Sequence, residues 1–120
     1  MSNVSLGKNG EEIAVKYLEQ KKFKILETNR KFSKLCEIDI IALDKNTLVF
    51  IEVKTRRTLR YGTPGAAVDY KKQQRIIRSA AWYIRCRDVN MHCRFDVVEV
   101  LSMPSGSAKI NHIANAFEVN

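Results

Sequence analysis

Between Glu11 and Lys21 the residues Ile13, Ala14, Tyr17 and Leu18 recur at steps of three and four, which predicts an amphipathic helix with one buried stripe. Phe23, Ile25 and Leu26 then lead into Asn29 with short alternation, a length that suits an edge strand. Two runs rich in Ile and Val, Glu37 to Leu43 and Leu48 to Thr55, flank the polar Asp44, Lys45 and Asn46 and predict a β-hairpin. From Arg56 to Gly65 the chain is basic, shows no period and ends in Gly62, Pro64 and Gly65, as an exposed loop would. Asp69 is a candidate N-cap for a second helix running to about Arg87, with Ile76, Ile77, Ala80, Ala81 and Ile84 on its buried face. Trp82 and Tyr83 read as core aromatics of that helix. Phe95 to Leu101 and Lys109 to Phe117 predict two more strands, on either side of a turn with Pro104 and Gly106.

The order helix, strand, strand, strand, helix, strand, strand implies an α/β fold, a mixed central β-sheet flanked by helices. Strand order does not follow from the pattern. A chain of 120 residues with 45% hydrophobic and 28% charged positions is sized for one domain with one core, here expected to be ordered from about Leu6 to Phe117.

Charge narrows the partner. The net charge is +8, so a fold this small carries a positive field over its surface and a polyanion, above all nucleic acid, is the natural ligand. The apolar run from Ile38 to Leu43 is far below the ~20 residues of a membrane span and is interrupted by Asp39. Nothing from Met1 to Gly10 resembles a secretory leader, and a cytoplasmic location is expected. Cys36, Cys86 and Cys93 lack paired metal-ligand spacing and read as reduced thiols, and His92 beside Cys93 has no second ligand pair that would make a zinc site.

The hairpin register carries the chemistry. If Lys45 and Asn46 form a two-residue loop, Leu43 faces Leu48, Ile41 faces Phe50, Asp39 faces Glu52 and Glu37 faces Lys54, all on one side of the strand pair. Opposed side chains have Cβ atoms about 5 Å apart, near enough for Asp39 and Glu52 to share a divalent cation. Facing carboxylates repel unless protonated, bonded or bridged, and their oxygen donors favour Mg²⁺ or Mn²⁺. Lys54 would then stabilise developing negative charge or orient a water. The alternative is a solvated face on which Lys54 pairs with Glu37, and a register slip of one residue would part the two acids.

Glu37-Ile38-Asp39-Ile40-Ile41 followed by Phe50-Ile51-Glu52-Val53-Lys54 resembles the acidic-x-Lys core of the PD-(D/E)xK nuclease superfamily. The chain as a whole, from Gly10 to Phe117, resembles the YraN family of bacterial proteins. The opening pattern is matched by Gly7 and Gly10 through Glu11, Ala14, Tyr17 and Leu18, with Asn29 also fitting. The later motifs fall at Glu37 to Ile41, Ile51 to Lys54, Arg94 to Val98, and Ala116 with Phe117. Cys36 departs from the family, which usually has Gly before the acidic motif.

The resemblance implies a restriction-endonuclease-like core similar to archaeal Holliday-junction resolvases, with an acid from the first helix, Glu11, joining Asp39 and Glu52 at the metal. An equally open reading of Glu11 is a first-turn charge that favours the helix dipole. Lys72 and Gln73 occupy the second-helix position where such nucleases place supporting polar residues, and Glu37 would support the same cluster. Lys71, Arg75, Arg78 and Arg85 line one solvent-facing basic stripe of the second helix, and Arg56, Arg57, Arg60 and Tyr61, in the loop after Lys54, with Lys71, Lys72, Arg75 and Arg78, are candidate nucleic-acid contacts. Asp96 and His112 read as hydrogen-bonded structural groups. The expected activity is a Mg²⁺-dependent endonuclease acting on DNA, in particular branched DNA, and the resemblance implies a homodimer. The competing classes are a noncatalytic nucleic-acid-binding adaptor that keeps the nuclease fold, and an enzyme acting on RNA.

Overall fold

The computed structural model describes residues 6–32, 37–56, 68–102 and 106–118. Along them run α1 (Leu6–Gln20), β1 (Lys24–Lys31), β2 (Glu37–Asp44), β3 (Thr47–Arg56), α2 (Tyr70–Arg87), β4 (His92–Ser102) and β5 (Ala108–Phe117), in the expected order. The strands form one mixed sheet in the order β1-β2-β3-β4-β5. All neighbours are antiparallel except β3 and β4, which run parallel because α2 carries the chain back between them.

Side-chain alternation along the strands divides the core in two. Ile40, Ala42, Val49, Ile51, Val53, Val98 and Val100 pack with Ala14 and Leu18 of α1. Ile41, Leu48, Phe50, Phe95 and Val97 pack on the other side with Ile76, Ala80 and Tyr83 of α2, as does Ile38, where the alternation of β2 breaks. The sheet is thus covered on both faces, which explains why the central β3 reads as an almost unbroken apolar run. Phe50 stacks on Phe95 at 5.6 Å and meets Tyr83 edge-on at 5.9 Å, so an aromatic column ties α2 to the middle of the sheet.

Local chemistry sets the ends of α2. The Asp69 carboxylate accepts the Lys72 N–H at 2.8 Å, the N-cap expected from the sequence. At the other end Asp88 adopts a left-handed conformation with φ of 51° and returns its N–H to the last turn.

Two expectations for α2 are corrected. Ala81 is exposed and Trp82 is 51% exposed, although Tyr83 is buried as expected. The helix turns by about 100° per residue. With Ile76, Ala80 and Tyr83 facing the sheet, the two residues between Ala80 and Tyr83 must point away from it. Cys36, Arg57, Arg60, Tyr61 and Pro104 lie outside the described residues. No helix among the described residues is long and apolar enough to cross a membrane.

Candidate functional site

The β2–β3 hairpin closes through Lys45 and Asn46, with Leu43 paired to Leu48, Ile41 to Phe50 and Ile40 to Ile51. Beyond Ile40–Ile51 the regular pairing stops, and the carboxyls of Asp39 and Glu52 lie close enough to interact. The ladder ends there because Asp39 uses its side chain: Oδ2 accepts the Val53 N–H at 2.8 Å. Asp39 is half-buried and Glu52 is 6% exposed, so the solvated-face alternative does not describe this pair. Lys54 likewise turns to Glu52, its Nζ lying 3.9 Å from Oε1.

Burial and mutual repulsion govern the electrostatics. Loss of solvent, reinforced by the Asp39 charge, pushes the Glu52 carboxyl up to about 7, against the pull of Lys72 and Lys54. Burial also raises Asp39, opposed by the Val53 N–H and by Lys72. Without a cation the two acids are therefore driven to hold a proton at near-neutral pH.

Lys72 comes from the first turn of α2, where the Asp69 cap places it over the pair with Nζ 3.7 Å from Glu52 Oε1. Gln73 beside it donates from Nε2 to the Val68 carbonyl at 2.9 Å and so braces the helix start rather than touching the acids. Glu52 Oε1 thus lies near two ammonium groups, whereas among the described residues Oε2 is buried with no hydrogen-bond donor.

A buried acceptor with an empty valence, beside a second carboxylate, fits a hard divalent cation. Among the described residues no three of His, Cys, Asp and Glu converge closely enough to make a complete metal cage. The protein would supply the Asp39 and Glu52 oxygens, in keeping with the habit of Mg²⁺ of taking one or two carboxylates and leaving its other positions to water and phosphate.

Glu11 is not gathered into that pair. Its carboxylate is bonded by the Asn29 amide, and burial together with the Asp39 charge raises it above the usual carboxylate range. Asn29 lies between the pairs Thr28–Ile40 and Arg30–Ile38, which sets it opposite Asp39 on the far side of β2. Its φ of 53° is a left-handed conformation that Asn tolerates better than most residues. Glu11, Asn29, Asp39, Glu52 and Lys72 consequently form one line across three strands and both helices. A cleft of about 400 Å³ opens between α1 and β1, bordered by Glu11, Glu12, Lys16 and Asn29, and meets this line at its Glu11 end. Glu37 is half-buried and adds negative potential at Asp39 and Glu11.

Of the basic candidates, Lys71, Arg75 and Arg78 are exposed on α2. Arg56 follows Lys54 on the same side of β3 but is engaged: Nε sits 3.0 Å from Glu99 Oε2, and Asn111 donates to the other oxygen of Glu99 at 3.1 Å. Glu99 is almost fully buried and escaped the sequence reading, since its position in β4 is apolar by alternation and no motif marks it.

A second polar cluster lies on the α1 face. Arg94 grips the buried Asp96 through Nε at 2.8 Å and Nη2 at 3.0 Å, and reaches Asp44 through Nη1 at 3.1 Å. His112 Nε2 meets Asp96 at 2.7 Å, Tyr17 meets His112 Nδ1 at 3.1 Å, and the Asn115 N–H donates to Asp96 at 2.9 Å. Burial pushes Asp96 upward, but the bonds from His112, Arg94 and Asn115 outweigh it and hold the carboxyl below its ordinary range. With its oxygens saturated, Asp96 is a structural anchor joining β4, β5 and α1, as a hydrogen-bonded group would be. The alternation of strands pairs Val98 with His112, but only the docking of α1 brings in Tyr17.

Residues 10–100 match the model of uncharacterised protein family UPF0102. A UPF0102 protein of Caldanaerobacter subterraneus is 47% identical over 116 residues, covering 94% of each chain. One from Geobacter sulfurreducens is 42% identical over 98% of this chain and 91% of its own, and one from Clostridioides difficile is 43% identical over 98% and 100%. The paired acids, the two lysines at Glu52 and the strand motifs all sit within the matched region, and the chain belongs to the UPF0102, or YraN, family.

Proposed function

We propose that this protein is a divalent-metal-dependent endonuclease acting on DNA, with a restriction-endonuclease-like core of the PD-(D/E)xK kind. The observation that carries the reading is the buried Asp39–Glu52 pair with an unpartnered Glu52 Oε2 and two lysines on the other oxygen. Asp39 and Glu52 would hold Mg²⁺ or Mn²⁺, and the cation supplies charge neutralisation at a phosphate and a more acidic bound water. Asp39 is kept in position by the Val53 N–H, so it meets its partner preorganised.

Lys54 and Lys72 carry the positive charge that attracts a phosphodiester and steadies the negative charge growing on it during cleavage. Both already lie at Glu52, hence neither has to move far to reach a phosphate bound there. Glu11, bonded by Asn29, stands as a further acid whose own carboxyl feels the Asp39 charge. The net charge of +8 draws a nucleic acid to the site. The resemblance of the Asp39 and Glu52-Val53-Lys54 motif to PD-(D/E)xK nucleases, and what it implies of junction resolvases, is the ground for branched DNA as substrate and a homodimer as the working form.

Calorimetry with Mg²⁺ and Mn²⁺ on the parent, Asp39→Asn and Glu52→Gln tests the site, followed by cutting assays on branched, single-stranded and duplex DNA and on matched RNA. Saturable binding lost in both variants, with at least a hundred-fold loss of cutting in Asp39→Asn and little loss of DNA binding, is expected. Binding of nucleic acid without any cutting, in a parent protein that takes up no metal, would make the chain a noncatalytic adaptor.

A further inference from the structure

Five residues of α2 lie on one line along the helix: Lys71, Arg75, Arg78, Trp82 and Arg85, at successive steps of four, three, four and three. All five are exposed, and Trp82 is 51% exposed. Among the described residues none of the four basic members forms an ion pair. The helix holds six basic residues and no acidic one, so like charges stand one turn apart and its positive first turn opposes the helix dipole. Arg85 in the last turn suits the helix dipole, but the charges at Lys71, Arg75 and Arg78 do not, and a polyanion laid along the helix relieves their repulsion.

Trp82 breaks the row of charges at the place where its indole does not serve the core. Its ring meets Phe32 edge-on, with centroids 6.5 Å apart and planes at 81°, a contact that steadies the ring without covering both faces. Arg78 and Arg85 stand one turn before and one turn after it. Cationic groups bracketing an open aromatic face are what a nucleic-acid strand needs when its phosphates are paired by arginine and a base is free to stack. A regular duplex buries its base faces and offers no such partner.

We infer that this stripe is a binding track for single-stranded nucleic acid, in which Trp82 stacks on an unpaired base. The inference deepens the nuclease reading and rests on it for the place of the reacting phosphate. Lys72 marks that place at Glu52, and Trp82 is ten residues further along α2, about 15 Å at 1.5 Å per residue. At about 3.4 Å per nucleotide of a stacked strand, the base on Trp82 lies roughly four nucleotides from the phosphate at the acid pair. The substrate class is therefore DNA with an unpaired flank: a branch, a fork or a flap.

Trp82 is the single tryptophan of the chain, so its fluorescence reports this position alone. The test titrates the full-length protein with an oligothymidylate and, in parallel, with a perfect duplex of the same length. EDTA is present throughout, so that neither metal uptake nor cutting enters the readout. The single strand should quench the fluorescence saturably, and the duplex should not. Trp82→Ala should weaken single-strand binding by roughly 5- to 150-fold, the range of base stacking on an aromatic side chain, and leave duplex binding within about twofold. Arg78→Ala should lower the salt dependence of both. Asp39→Asn should bind the single strand as the parent does, so a failed metal site and a failed track give different results. Unchanged fluorescence at saturating single strand would overturn the proposal. So would a fluorescence change that follows protein concentration without DNA, because the ring would then be a contact between two copies of the chain.

Discussion

The Val53 N–H donates to Asp39 Oδ2 at 2.8 Å, so the residue that follows Glu52 in the chain positions the carboxylate that Glu52 faces. A bond that would otherwise join two backbones here orients a carboxylate, and the pair is placed by the same strands that build the core.

Asp39→Asn keeps an oxygen for the Val53 N–H and removes one of two repelling charges. Thermal unfolding at pH 8 without metal should therefore match the parent or exceed it, and the stabilisation by Mg²⁺ expected of the parent should be absent from the variant. A variant destabilised by several kcal/mol would assign the carboxylate to strand cohesion instead.

Glu52 gives stability an unusual pH dependence. Its carboxyl titrates near 7 in the folded protein, against about 4.3 unfolded. Between these values the folded state holds the proton and the unfolded state does not, so stability falls as pH rises through the window. The loss is on the order of 3 kcal/mol by pH 8 in the absence of metal. Urea denaturation of the parent and Glu52→Gln from pH 4 to 8 checks this: the variant should lack the decline, and Mg²⁺ should restore the parent at high pH.

Asp96 behaves in the opposite sense. Its folded carboxyl lies below the ordinary range, so its contribution is complete above the unfolded value of about 3.9 and is lost as pH falls through the folded one. Asp96→Asn breaks a buried pair and leaves Arg94 and His112 with a weaker partner, costing about 3 kcal/mol at pH 7. Chemical denaturation at pH 7 should show that loss, and the gap should close as pH falls through the folded value.

At Gly10, α1 approaches β3 closely enough to leave no room for a side chain. A Cβ there would run into the Thr55 hydroxyl. Gly10→Ala should destabilise by about 1–3 kcal/mol through overpacking, despite the better helix propensity of alanine. In a Thr55→Ala background the same change should cost much less, and a double-mutant cycle of denaturation midpoints measures the difference.

The hairpin register was legible because two apolar runs about a two-residue polar turn leave one pairing that buries both. Lys-Asn is not a favoured turn pair, yet Lys45 adopts a φ of 57° and the intended register holds. Trp82 shows the limit of such reading. Hydropathy counts its ring as core material, but α2 has room for one buried stripe, and Tyr83 holds it.

What the sequence by itself determined was local: the seven elements and their order, the Asp69 cap, the facing of Asp39 with Glu52, and the basic stripe of α2. Each depends on side-chain period or on residues a few positions apart, where chain geometry leaves few alternatives. Only the tertiary structure decided that β3 and β4 lie side by side in parallel, that Lys72 stands over Glu52, that Asn29 ties Glu11 to the row of acids, and that Tyr17, His112, Asp96 and Arg94 form one network. These contacts join residues far apart in the chain. They follow from how each helix settles on the sheet, which is set by the summed packing of both cores and by no short stretch of sequence.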